Sequence, residues 1–151
     1  MTETLGDPLP FEFFNEVGII EQLSRTAAER VLPAGMSMAG FSVLNHMIRL
    51  GHEHRAPSRI ASAMQVTRGA MTGTLKRLEA EGWIEVTPDP EDGRGKAVRV
   101  TAAGRAARGA ALQALGPLFE ELLADVEATE MAAALPFLRK VRKILDAARD
   151  P

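Results

Sequence analysis

Apolar residues recur at helical spacing along most of the chain and alternate at only two places. Phe13, Val17, Ile20, Ala27 and Val31 lie three or four apart, with Ser24 filling the missing step, and predict a helix over 11–31. Phe14, Ile19 and Leu23 add a second apolar stripe, so this helix needs more than one packing surface. Leu32-Pro33-Ala34-Gly35 ends it. Ser37 can cap a second helix, 38–50, with Phe41, Leu44 and Ile48 as the buried row and Gly51 as the stop. Ser58 can cap a short helix over 59–64. Thr67 can cap a longer one, in which Met71, Leu75 and Leu78 face the core and which Gly82 closes. Residues 83–87 and 97–101 alternate as strands do, and Pro88, Pro90, Gly93 and Gly95 make the connection between them tight and exposed.

Thr101 can cap the next helix. In it Leu112, Leu115, Phe119, Leu122 and Val126 form a heptad-like seam, and Gly116-Pro117 should kink that helix or split it. Thr129 can cap a last helix with the apolar row Met131, Leu135, Leu138 and Leu145; Pro136 inside it predicts a second bend.

Short helix, turn, longer helix, strand, charged loop, strand is the order of a helix-turn-helix with a β-hairpin wing, a device for reading duplex DNA. The expected fold is mainly α with a small β-hairpin wing. A winged helix-turn-helix head over 37–104 is flanked by helices at 11–31 and 105–148, all in one domain, 1–151. The second helix of the head carries Arg68, Gly69, Thr72, Gly73 and Lys76 on the face opposite its core row. Small residues allow close approach to a groove, hydroxyls reach base edges, and cations meet phosphates. An ordinary solvated helix face is also rich in Lys and Arg; the wing directly after it favours the DNA reading.

The formal charge of −2 looks wrong for such a protein until it is divided. From His52 to Arg108 there are ten Lys and Arg against seven Asp and Glu, a balance of +3, and the remainder carries −5. Local charge governs contacts that act over about a Debye length of ~10 Å. Cysteine is absent, which removes disulfides, thiolate catalysis and thiol-oxidation sensing and suits a cytoplasmic protein. No apolar run approaches the length of a membrane span. Met1 to Pro10 reads as a tail with neither a basic nor an apolar leader region, so no signal peptide is expected.

His52 and His54 flank Glu53, with His46 one helical turn earlier, and invite a metal reading. Nothing completes a set of three or four ligands, so no metal is expected and a solvated loop is favoured. No nucleophile–base set, glycine-rich phosphate loop or cofactor motif is present; neither an enzyme nor a cofactor is expected. The basic run Arg139-Lys140 and Arg142-Lys143 reads as a solvated helix face rather than a second DNA contact.

Thr67-Arg68-Gly69-Ala70-Met71-Thr72, Arg77-Leu78-Glu79-Ala80-Glu81-Gly82-Trp83-Ile84, Asp92-Gly93-Arg94 and Val98-Arg99-Val100-Thr101-Ala102-Ala103-Gly104 together resemble the multiple antibiotic resistance regulator (MarR) family. That family's wing pattern is Asp-x-Arg, a short spacer, then apolar-x-apolar-Thr-x-x-Gly. Asp92, Arg94, Val98, Val100, Thr101 and Gly104 meet it. Gly93 departs from it, standing where many members carry a second arginine, so the wing tip is less basic.

The resemblance implies a dimeric DNA-binding transcription regulator, a repressor released by a small-molecule ligand held between dimer helices and DNA heads. The terminal helices 11–31 and 105–148 would bury their surplus apolar surface in a homodimer. Two-fold symmetry predicts a pseudo-palindromic double-stranded operator. Thr67, Arg68, Gly69, Thr72, Gly73, Lys76 and Arg77 would serve the major groove. Arg94 would enter the minor groove, with Lys96 and Arg99 on phosphates. Asp92 would orient the wing through an ion pair that the resemblance assigns to Arg77; a turn-forming role is the alternative. The other functional class is a winged-helix protein-interaction or ligand-sequestering module without specific DNA binding. It predicts an acidic or apolar recognition face, which Arg68, Thr72 and Lys76 do not supply.

Overall fold

The computed structural model describes residues 6–149. Six helices and one hairpin occur in order: α1 (Leu9–Glu29), α2 (Met38–Arg49), α3 (Pro57–Ala63), α4 (Arg68–Ala80), β1 (Ile84–Pro88), β2 (Lys96–Val100), α5 (Ala102–Leu122) and α6 (Ala128–Ala147). This is the mainly α, winged-helix architecture expected. The chain divides within α5 into two compact units, one up to Leu115 and one from Gly116 onward. Among the described residues no helix is long and apolar enough to cross a membrane.

The core of the first unit is built by α2, α3, α4 and the hairpin. Val43, Leu44, Met47, Ile60, Met71, Leu78, Ile84 and Val98 are buried in it. On α2 the buried row includes Val43 and Met47, whereas Ile48, expected inside, is half-buried. Ser37 caps α2, its hydroxyl accepting from the Gly40 amide at 3.0 Å. Thr67 caps α4 in the same way, from the Ala70 amide at 3.1 Å. Gly82, at φ +75°, ends α4: its amide reaches the Glu79 carbonyl and the Trp83 amide reaches Leu78. These two bonds form a left-handed cap that a residue with a Cβ adopts at a cost.

Several boundaries differ from the sequence expectation. α1 starts at Leu9 and ends at Glu29, because Pro8 and Pro10 can occupy a helix start where amide donors have no intrahelical partner. Residues 1–5 of the expected tail lie outside the described residues. Ser58 is not a cap: α3 begins at Pro57 for the same proline reason, with Ala56 at the cap position. Both strands sit one residue off the expected bounds, paired antiparallel from Ile84↔Val100 to Pro88↔Lys96. The stretch 52–57 is more than a solvated loop, since Arg55 bridges to Val98 of β2 by two backbone hydrogen bonds.

In the second unit, α5 runs unbroken through Pro117 to Leu122, so the proline does not split it, and Val126 of the expected seam lies beyond its end. α6 is likewise continuous through Pro136. Its cap is Glu127 rather than Thr129; Glu127 and Glu130 form a reciprocal capping box.

Candidate nucleic-acid interface

The turn between α3 and α4 sets the angle of α4, and it uses a residue that resists that conformation. Gln65 has φ +55°, the left-handed region that costs an L-residue about 1–2 kcal/mol. Downstream of the turn, α4 buries Met71, Thr74, Leu75 and Leu78. It exposes Thr67, Arg68, Gly69, Thr72, Lys76 and Arg77, with Gly73 half-exposed. Thr72 is partly committed: its hydroxyl donates to the Arg68 carbonyl at 2.8 Å, leaving acceptor lone pairs and a methyl group outward. Thr67 accepts in its capping bond, so its hydroxyl hydrogen is free to donate.

A Cβ added at Gly69 or Gly73 would meet no atom within 4 Å. Neither glycine is required by packing inside the chain, although each weakens a helix interior by about 0.5–1 kcal/mol relative to alanine. The smooth face they make serves something other than the chain's own core.

The wing is held at its base. Gly104 packs so closely that a Cβ there would lie 2.0 Å from the Trp83 carbonyl oxygen. The Thr101 hydroxyl accepts from the Gly104 amide at 3.0 Å and donates to the Gly82 carbonyl at 2.7 Å. The Thr-x-x-Gly spacing thus fixes the end of α4, the end of β2 and the start of α5 against one another.

At the wing tip, two Asx turns stand in succession. Asp89 Oδ1 accepts from the Glu91 amide at 2.9 Å, and Asp92 Oδ1 accepts from the Arg94 amide at 3.1 Å. The expected Asp92–Arg77 ion pair is not formed among the described residues. Asp92 shapes the turn that carries Arg94, which is the alternative the sequence left open. A four-residue turn satisfies the carboxylate locally, without holding two long side chains together. Arg99, expected on phosphates, pairs with Glu85 across the hairpin at 2.9 Å.

Two adjoining grooves separate α4 from the wing. One, of about 660 Å³, is lined by Thr72, Lys76, Arg94 and Lys96 among others. The other, of about 510 Å³, is lined by Arg68, Thr72, Asp92 and Lys96 among others. Sequence reasoning therefore chose residues that converge in space. Thr67, Arg77 and Arg99 lie outside both grooves, and Gly69 and Gly73 lie on the open helix face. Sequence reasoning missed that Glu79 and Asp89 also line the grooves, which places carboxylates among the cations. Glu79 sits three residues beyond Lys76, a spacing that already put the two on one side of α4. Among the described residues, no ion pair holds Arg68, Lys76, Arg77, Arg94 or Lys96. Five cations are thus available to an anion outside the chain.

A protein-family model described as the MarR family matches residues 34–95, which spans α2 to the wing tip. The multiple antibiotic resistance protein MarR of Escherichia coli (strain K12) is 36% identical over 86 residues, 56% of this chain and 60% of that protein's own length. The transcriptional activatory protein BadR of Rhodopseudomonas palustris is 25% identical over 131 residues, covering 85% of this chain and 75% of BadR. A crystal structure of a point mutant of Escherichia coli MarR in complex with operator DNA superposes with a TM-score of 0.73 at 28% identity, covering 89% of this chain and 99% of that one.

Proposed function

We propose that the chain is a member of the MarR family, which the match over residues 34–95 and the relatives above support, and that it is a dimeric, sequence-specific DNA-binding transcription regulator. The observation that carries the reading is the pair of grooves where Arg68, Lys76, Arg94 and Lys96 converge beside a glycine-smoothed helix face. In this reading α4 enters the major groove, with Arg68, Thr72 and Lys76 toward base edges and phosphates. Arg94 reaches the adjacent minor groove, and Lys96 neutralises backbone phosphate. Asp92 acts through Arg94, by holding the turn that presents it.

A dimer supplies the two heads that a pseudo-palindromic operator needs, with half-sites about one helical turn, ~10 bp, apart. Each compact unit carries the apolar surface for it. In the first, Phe11, Ile20 and Leu23 of α1 are exposed; in the second, Leu122, Phe137, Ile144 and Leu145 are exposed. Large apolar side chains left exposed in such number are candidates for burial at an interface.

Regulation follows the family pattern: repression, released by a small apolar effector that binds one state of the dimer better than the other. A cleft of about 260 Å³ between α1, α2 and α4 is a candidate for it, lined by Met38, Val43, Met64 and Met71 with Glu21 and Arg25 on the α1 side. A cytoplasmic location accords with this function.

The test is a salt titration of binding to the upstream intergenic DNA of the protein's own gene, wild type beside Arg94→Ala. Specific binding should fall steeply with salt, and Arg94→Ala should make the slope shallower by about one unit. Weak, nonspecific binding with the same slope in both proteins would remove the assignment of Arg94 and count against an operator at that locus.

A further inference from the structure

Two histidines lie where α2 ends and the connection to α3 begins. His46 is in the last turn of α2 and His52 stands in the connection beyond it, with ring centroids 5.9 Å apart and planes tilted by 53°. The Nε2 atom of His52 is shielded from water and has no hydrogen-bond partner among the described residues. A shielded ring nitrogen without a partner is uncommon in a folded core and marks a place held for some reason other than stability. The His52 backbone amide is bound to the Met47 carbonyl at 3.0 Å, so the ring is anchored to the end of α2.

Three residues on, Arg55 is joined to the wing strand. Its amide donates to the Val98 carbonyl at 3.0 Å, and the Val98 amide donates back at 2.8 Å. Burial pushes the His46 imidazole below its ordinary value near 6.5, and the neighbouring His52 and Arg55 push it further the same way. No carboxylate is among the groups that shift His46. Glu53 and Arg49 are exposed to water, as is His54. On β2, Arg99 is paired with Glu85, and on α5, Arg108 donates to the Asn45 side-chain oxygen at 3.0 Å.

We propose that His46 and His52 form a proton-operated latch between α2 and the wing. While His46 is neutral the two rings pack, and the Arg55–Val98 bridge holds the outer edge of β2. A proton on His46 places a cation in a partly desolvated site beside His52 and Arg55. The connection then moves toward water and the bridge to Val98 opens. Because the wing carries Arg94 and Lys96, the latch controls DNA affinity; that consequence rests on the function proposed above, whereas the latch itself does not. The sign is diagnostic. Acidification adds positive charge, which by itself tightens binding to phosphates. The latch predicts weaker binding in the same pH range.

The experiment follows the imidazole ring protons and the Val98 amide of the full chain by NMR between pH 8 and 5.5. Hydrogen exchange is corrected for its intrinsic pH dependence. Operator affinity is measured in parallel at fixed salt, and His46→Gln and His52→Gln are run beside wild type. Protection of Val98 should fall by about tenfold (~1.4 kcal/mol) or more as the His46 ring titrates, and both variants should flatten that response. The wild-type measurement stands alone if a variant does not fold. Val98 protection that is unchanged while His46 titrates overturns the latch, whatever the DNA does. Val98 opening in a protein that binds no DNA at any pH leaves the latch standing and removes the DNA-binding reading. Opening accompanied by tighter binding overturns the control of DNA affinity by the latch.

Discussion

The Thr101 hydroxyl donates to the Gly82 carbonyl at 2.7 Å, and this bond pins the end of the recognition helix to the end of the wing. The same oxygen accepts from the Gly104 amide, so one side chain satisfies groups at a helix end and at a helix start. Replacing Thr101 by Val keeps the shape and removes both bonds. Chemical denaturation should report a loss of about 1–3 kcal/mol. Operator affinity measured well below the unfolding transition should fall too, because the wing loses its fixed angle to α4. A variant of wild-type stability would mean that water or a neighbouring group replaces the hydroxyl.

Asp92 separates two roles that its charge confounds. Asparagine keeps the oxygen that accepts from the Arg94 amide but removes the charge, whereas alanine removes both. Asp92→Asn should bind operator as wild type does or slightly tighter, since a carboxylate facing phosphate is gone. Asp92→Ala should bind several-fold more weakly. Equal losses in the two variants, measured by titration at one salt concentration, would restore the ion pair with Arg77 as the form adopted on DNA.

Gly73→Ala should move stability and binding in opposite directions. The added methyl meets no atom of the chain, so the helix should gain about 0.5–1 kcal/mol in a urea titration. Operator affinity should drop, because the methyl occupies space reserved for the groove. If affinity rises along with stability, α4 does not approach DNA on that face.

The helix-turn-helix and wing were legible because their signals are local. A capping threonine, an apolar row at three-and-four spacing and a closing glycine fix α4 within one stretch of chain. Thr-x-x-Gly marks the wing base within four residues. What escaped the sequence was set by geometry between distant stretches. Arg99 could be seen as a free cation until the register placed Glu85 opposite it. The stretch 52–57 carries no strand pattern, so its bridge to Val98 emerges only once β2 is in place. Prolines 8, 10 and 57 mark helix starts by the absence of an amide, yet Ser58 and the apolar onset at Phe11 drew the boundaries inward. Prolines 117 and 136 sit within continuous helices, each leaving one helical carbonyl without its amide donor.

The hairpin has two edges, and they are treated differently. Arg55 occupies one, alongside β2, while among the described residues no strand pairs with the outer edge of β1. Such an edge invites further strands to stack upon it, chain after chain. Here the open strand is only five residues long, carries a charged Glu85 and ends at Pro88, which has no amide hydrogen to offer. A short strand with a charge and a terminal proline gives a further strand little to pair with, so the open edge of the wing resists stacking of one chain upon another.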